Sequence, residues 1–81
     1  MESKIFTAAD LGASVRSARR KQRLTQKQLA DFFSTFSREF LSDLENGKPT
    51  VELDKALTVA TSLGLKIYVY DNDEQPDGEA Q

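Results

Sequence analysis

Apolar residues recur every three or four positions through most of the chain, and the interruptions fall at Thr, Ser, Gly and Pro. This pattern predicts a succession of short amphipathic helices. Ala8, Leu11, Val15 and Ala18 make the stripe of a first helix from Ala8 to about Gln22, and Thr7 with Asp10 has the spacing of a capping box at its start. Arg16, Arg19, Arg20 and Arg23 fall on its other faces. Gly12 weakens such a helix by up to about 1 kcal/mol relative to alanine, so it marks either a close backbone approach or a tolerated position. Thr25 and Gln28 repeat the capping-box spacing before a second helix that turns Leu29 and Phe32 or Phe33 inward.

A turn at Ser34-Thr35 leads to a third helix capped by Ser37, with Phe36 placed to staple onto Leu41 and with Leu41 and Leu44 facing the core. Gly47 supplies a left-handed residue to end it, and Pro49 prevents its continuation. Thr50 caps a fourth helix whose stripe is Leu53, Leu57, Ala60 and Leu63, with Glu52 and Asp54 in its first turn and Gly64 at its end. The period then changes to two. Leu65-Lys66-Ile67-Tyr68-Val69-Tyr70 reads as a strand, and Lys4-Ile5-Phe6 reads as either a strand or an arm. A lone strand needs a partner, which is either the Lys4-Ile5-Phe6 segment or the same strand of a second subunit, with Leu65, Ile67 and Val69 in the dimer seam. The fold class is therefore mainly α, four helices with a helix-turn-helix at residues 24–48 and a C-terminal strand pairing across a dimer.

Charge changes the picture more than composition does. The net charge of −2 conceals an uneven distribution, because residues 71–81 hold five acids and no base, whereas residues 1–70 hold eleven bases against eight acids. Between Arg16 and Arg38 seven bases face only Asp31, a basic patch suited to phosphates. The acidic, Pro- and Gly-containing segment from Asp71 is expected to have no packed structure in isolation, which divides the chain into a domain at 1–70 and a tail at 71–81. Cys and His are both absent, which removes the thiol nucleophile, the commonest general base and the commonest transition-metal ligand. The expectation is no catalysis, no cofactor and no metal. Neither an apolar run of about 18–20 residues nor a basic-then-apolar leader is present, so a cytoplasmic, nucleoid-associated protein is expected, with no membrane partner.

In a helix-turn-helix the second helix enters the major groove by its N-terminal residues, while the first crosses the phosphate backbone. Ser37, Arg38, Glu39 and Ser42 are then the base-reading candidates: Arg38 as a bidentate donor to guanine, the serines to a base or phosphate, and Glu39 accepting from cytosine. Thr25, Gln26 and Lys27, which open the preceding helix, and Asn46 and Lys48, which follow the reading helix, are the phosphate candidates. Glu39 and Asp43 on the reading helix argue the other way, toward a protein-interaction module with little DNA binding, and the surplus of Phe at 32, 33, 36 and 40 offers such a module a groove.

Thr25-Gln26-Lys27-Gln28-Leu29-Ala30, Ser37-Arg38 and Leu44-Glu45-Asn46-Gly47-Lys48 resemble the Cro/C1 (XRE) helix-turn-helix family over about residues 8–64. Four helices followed by Leu65 to Asp71, with Lys4-Ile5-Phe6 ahead of them, resemble more narrowly the HipB-like antitoxins. The resemblance implies a lambda-repressor-like domain that dimerises through its terminal strand, binds palindromic operator DNA, represses its own operon and restrains a HipA-type serine/threonine kinase toxin. It also implies that Gln26 and Lys27 take the phosphate role, and Arg38, Glu39 and Ser42 the base-reading role. Two features depart from the family pattern. The turn Phe33-Ser34-Thr35-Phe36 is about one residue longer than usual and lacks Gly. The tail has no Trp, so kinase contact is expected to use another surface or a third protein. A prophage repressor with no toxin partner would read the same way.

Overall fold

Three of the four helices begin at the side-chain caps that local spacing predicts. A computed structural model describes residues 3–71, with α1 at Ala8–Lys21, α2 at Gln26–Phe32, α3 at Arg38–Glu45 and α4 at Leu53–Ser62. Thr7 Oγ1 accepts from the Asp10 amide at 3.2 Å, and the Asp10 carboxylate accepts from the Phe6 and Thr7 amides at 2.8 and 3.0 Å. Those amides, Phe6 foremost, hold the Asp10 carboxyl below the ordinary aspartate range. Thr25 and Gln28 exchange the equivalent pair of bonds at 3.0 and 2.9 Å, and Ser37 Oγ accepts from the Phe40 amide at 3.0 Å. Each cap satisfies a helix-start amide that has no partner within its own helix.

The fourth helix departs from the expected register. Glu52, not Thr50, stands at its N-cap and makes no side-chain cap bond. Its buried side is Ala56, Val59 and Ala60, continued by Leu63, whereas Leu53 is 62% exposed and Leu57 half-buried. Apolar residues at 53, 56, 57, 59, 60 and 63 offer two overlapping stripes, and the one carrying two alanines lets the backbones close around a small core. That core is a single cluster of Val15, Leu29, Leu41 and Leu44 with these α4 residues. Phe33, Phe36 and Phe40 pack partly against it in a chain of ring contacts with centroids 5.1 and 5.4 Å apart, while Phe32 is 78% exposed.

Close packing of α1 on α3 explains Gly12. A Cβ there would overlap the Leu44 carbonyl oxygen and stand 3.1 Å from the Glu45 carbonyl group. Gly12→Ala is therefore expected to destabilise the domain by about 1–2 kcal/mol, the cost of overpacking less the helix propensity regained. A chemical-denaturation curve measures this, and an unchanged midpoint would show that the two backbones can separate freely. Gly47, at φ +78°, meets Ala9 in a similar way, with the Ala9 Cα 2.6 Å from where its Cβ would lie.

Residues 65–70 form no ladder with Lys4-Ile5-Phe6 or with any other described segment. A strand exists only by pairing, and the described residues supply no partner. The segment is nevertheless extended: the Tyr68 and Tyr70 rings stack 6.2 Å apart, close to the roughly 6.5 Å between alternate residues of a strand. Leu65, expected in a dimer seam, packs partly on the domain's own core, and Ile67 and Val69 are 46% and 94% exposed. The acidic segment at residues 72–81 lies outside the described residues.

Candidate nucleic-acid interface

Glu45 organises the surface on which the helix-turn-helix stands. Its carboxylate, with no side-chain exposure, lies at the end of α3 and accepts from Arg19 Nε at 2.6 Å and Arg19 Nη2 at 2.8 Å, a two-pronged pairing. Arg19 also donates to the Leu24 carbonyl at 2.6 Å, so one guanidinium holds the α1–α2 connection and the foot of α3 together. Gln26 Nε2 reaches the same carboxylate at 3.1 Å, and Arg16 Nε stands 3.5 Å from it without a hydrogen bond of its own. Arg16 Nη2 instead donates to Asn46 Oδ1 at 3.2 Å.

This arrangement corrects the expectation that Arg19 lies on an outer face with the other α1 arginines. Arg19 is 7% exposed and belongs to the core. The signal was present in its spacing, for Arg19 follows Leu11 and Val15 at intervals of four on the buried stripe.

Burial alone would push the Glu45 carboxyl up, but the hydrogen bonds from Arg19 and Gln26 and the guanidinium charges prevail and hold it below the ordinary glutamate value of 4.5. Arg19 is correspondingly held above its ordinary range, chiefly by the bond to Glu45. A carboxyl lowered in the folded state stabilises it fully above the unfolded value. That contribution disappears as pH falls through the lower, folded value. The domain is therefore expected to lose stability as pH drops below about 4.5, with Glu45→Gln flattening that slope. Denaturant midpoints between pH 3 and 7, roughly the span of carboxylate titration, measure it.

Seven of the nine base-reading and phosphate candidates fall into three neighbouring groups. Lys27, Ser37 and Arg38 line one concave surface of about 470 Å³ between α2 and α3, floored by Phe33 and Phe36. Ser37, Glu39, Asp43 and Lys48 line an adjoining one of about 260 Å³. Ser42 and Asn46 stand apart from both, joined by a 3.4 Å bond from Asn46 Nδ2 and reaching Arg16. Most candidates already have side-chain partners: Thr25 and Ser37 are caps, Gln26 holds Glu45, Lys27 pairs with Asp31 at 3.0 Å and Lys48 with Asp43 at 3.6 Å. Arg38 and Glu39, both exposed, are the two with no side-chain partner among the described residues. The Lys27–Asp31 and Lys48–Asp43 pairs are exposed, worth at most about 1 kcal/mol, and so open readily to a phosphate. Among the described residues no cluster of His, Cys, Asp or Glu is placed to hold a metal ion, and no helix is long and apolar enough to cross a membrane.

Two short helices joined by a turn, the second opening on an exposed arginine, have the geometry of a helix-turn-helix. The helix-turn-helix family profile matches residues 15–69, and the chain belongs to that family, in its Cro/C1 (XRE) type. It is a helix-turn-helix transcriptional regulator by this membership. Over 67 residues it is 45% identical to the HTH-type transcriptional regulator y4mF of Sinorhizobium fredii (strain NBRC 101917 / NGR234), covering 83% of this chain and 87% of that one. Its fold is similar to that of a HipB–O4 20mer complex, with TM-score 0.75, 22% identity and coverage of 88% of this chain and 99% of that one. The same figures relate it to a HipA–HipB–O2–O3 complex. The four-helix architecture is thus shared with the matched chains of these two complexes.

Proposed function

We propose that the chain is a dimeric, operator-binding repressor that serves as antitoxin and autoregulator of a HipA-type kinase toxin–antitoxin operon. The observation that carries the reading is the position of Arg38 and Glu39. Both are exposed and unpartnered at the start of a Ser37-capped helix, and Arg38 shares a concave surface with Lys27. Arg38 and Glu39, with Ser37 and Ser42, meet base edges, while Thr25, Gln26, Lys27, Asn46 and Lys48 anchor phosphates.

Exposed Ile67 and Val69 on an extended, unpaired segment favour pairing with the same segment of a second copy. A two-fold dimer presents two reading helices and so matches a palindromic operator. Solved relatives of the same fold include HipB with operator-type DNA and with HipA, which is the ground for naming the kinase as partner. Exposed Phe32 offers such a partner an apolar contact.

A gel shift with the DNA upstream of the chain's own gene, run at two salt concentrations, tests the reading. A complex retained at the higher salt supports sequence readout, and loss of all binding there refutes it. Glu39 and Asp43 favour the second reading, an interaction module with little DNA affinity. Under that reading a kinase encoded beside the gene co-purifies with the protein while the shift is absent.

A further inference from the structure

Beyond Arg19, the cations at the C-terminal end of α1 suit the helix dipole there but hold no partner side chain among the described residues. Arg20, Lys21 and Arg23 pair with no carboxylate among the described residues, and Arg20 and Lys21 line, with Arg16 and Ser17, a concave surface of about 490 Å³. The one acid there, Glu45, is buried and already bonded to Arg19 and Gln26. Three unpaired cations within four positions repel one another, and an external anion relieves that repulsion.

Gln22 Nε2 donates to the Leu63 carbonyl at 2.7 Å, which ties the exit of α4 to this end of α1. The sequence that follows carries Asp73, Glu74, Asp77 and Glu79 with no base among residues 71–81. Nine residues separate Leu63 from Asp73, a length of up to roughly 33 Å when fully extended. α1, with its 14 residues, is about 21 Å long. Residues 65–70 are extended and Leu65 packs on the core, so the acids begin three residues past Tyr70 and stay tethered to the domain, at the high effective concentration of a linked ligand.

From this we infer that the acidic run at residues 73–79 docks on the Arg16–Arg20–Lys21 surface at the end of α1 and competes there with DNA phosphates. Arg16, bonded to Asn46, connects this surface to the phosphate candidates, so a docked tail lowers the positive potential that attracts the DNA backbone. The effect on DNA rests on the proposed DNA-binding reading, while the docking itself does not. A tail that competes for phosphates leaves Arg38 untouched. It therefore weakens binding to every sequence by a similar factor, since a phosphate contact carries no sequence information.

Three proteins test this: the whole chain, a chain ending at Asp71, and the whole chain carrying Asp73→Asn, Glu74→Gln, Asp77→Asn and Glu79→Gln. In the free proteins, the backbone amide resonances of Ser17, Arg20 and Lys21 are expected to move in both altered forms relative to the whole chain. The three spectra should converge at about 0.3 M salt, where screening removes the contact. Affinity for a random-sequence duplex should rise by about 3–10-fold in both altered forms at roughly 50 mM salt and differ little at 0.3 M. Amides that stay in place, or that move on truncation and not on neutralisation, overturn the docking. Amides that move without a change in duplex affinity overturn the competition. Should none of the three bind any duplex while the amides move, the docking stands and the DNA reading falls. Equal binding by all three with unmoved amides gives the reverse.

Discussion

Replacing Glu45 by alanine is expected to leave the domain largely unfolded at ordinary temperature. The substitution removes the acceptor of two Arg19 bonds and of the Gln26 bond, and it leaves a guanidinium that is almost completely buried with no counter-charge. Breaking a buried pair from one side costs about 3–5 kcal/mol, because the remaining charge has been taken out of water and receives nothing in return. A domain of this size has a total stability near the lower end of about 5–15 kcal/mol, so the loss is of the same order as the whole. Arg19→Ala is expected to be nearly as severe, since it also frees the Leu24 carbonyl and loosens the entry to α2. The double change Arg19→Met with Glu45→Leu should recover much of the stability, since apolar residues of similar volume carry no desolvation cost. Circular-dichroism melts of the three variants measure this. A Glu45→Ala protein that melts within a few degrees of the parent would show that the pair is dispensable.

Arg38→Ala is expected to lower operator affinity by about 1–3 kcal/mol while leaving the melting temperature unchanged. The separation of the two effects follows from the structure: Arg38 is exposed, holds no partner among the described residues, and is the first residue of α3 rather than its cap. Its loss should also relax preference at one base position. Lys27→Ala should instead weaken binding to every sequence alike and reduce the salt slope by about 1, since a phosphate contact carries no sequence information. Competition binding with single-base operator variants distinguishes the two. Operator affinity that does not change with Arg38→Ala removes the base-reading role.

Which parts of this could be read along the chain, and which could not, follows from the range of the interactions. The Thr7–Asp10 and Thr25–Gln28 boxes and the Ser37 cap were legible because each joins residues three apart, so the sequence states both partners together. The end of α3 at Gly47 was legible for the same reason. By contrast, Thr50 looked as good a cap as Ser37 and does not serve as one. Leu53 looked as apolar as Leu63 and faces water. Both misreadings come from α4, where several apolar stripes overlap and only the elements packed against the helix select among them.

The candidate surface divides in the same way. The identities of Arg38, Glu39 and Lys27 as residues around a helix-turn-helix came from spacing, but the freedom of Arg38 and Glu39 did not. Nothing local shows that Gln26 and Asn46 are held by Glu45 and Arg16, nor that Lys48 leans on Asp43. Residues 65–70 are the converse case, since their alternation was plain while no described segment pairs with them.

Local chemistry along the chain thus dictated where the first three helices begin, where α3 ends and which segments are apolar, because caps, turns and periodicity act over one or two turns of backbone. Three-dimensional packing alone decided that Arg19 goes inside, that position 12 admits no Cβ and that α4 buries its alanine side. Those outcomes depend on what arrives from 26 or more residues away, as Glu45 does to meet Arg19, and desolvation makes such a meeting decisive only once the core has closed.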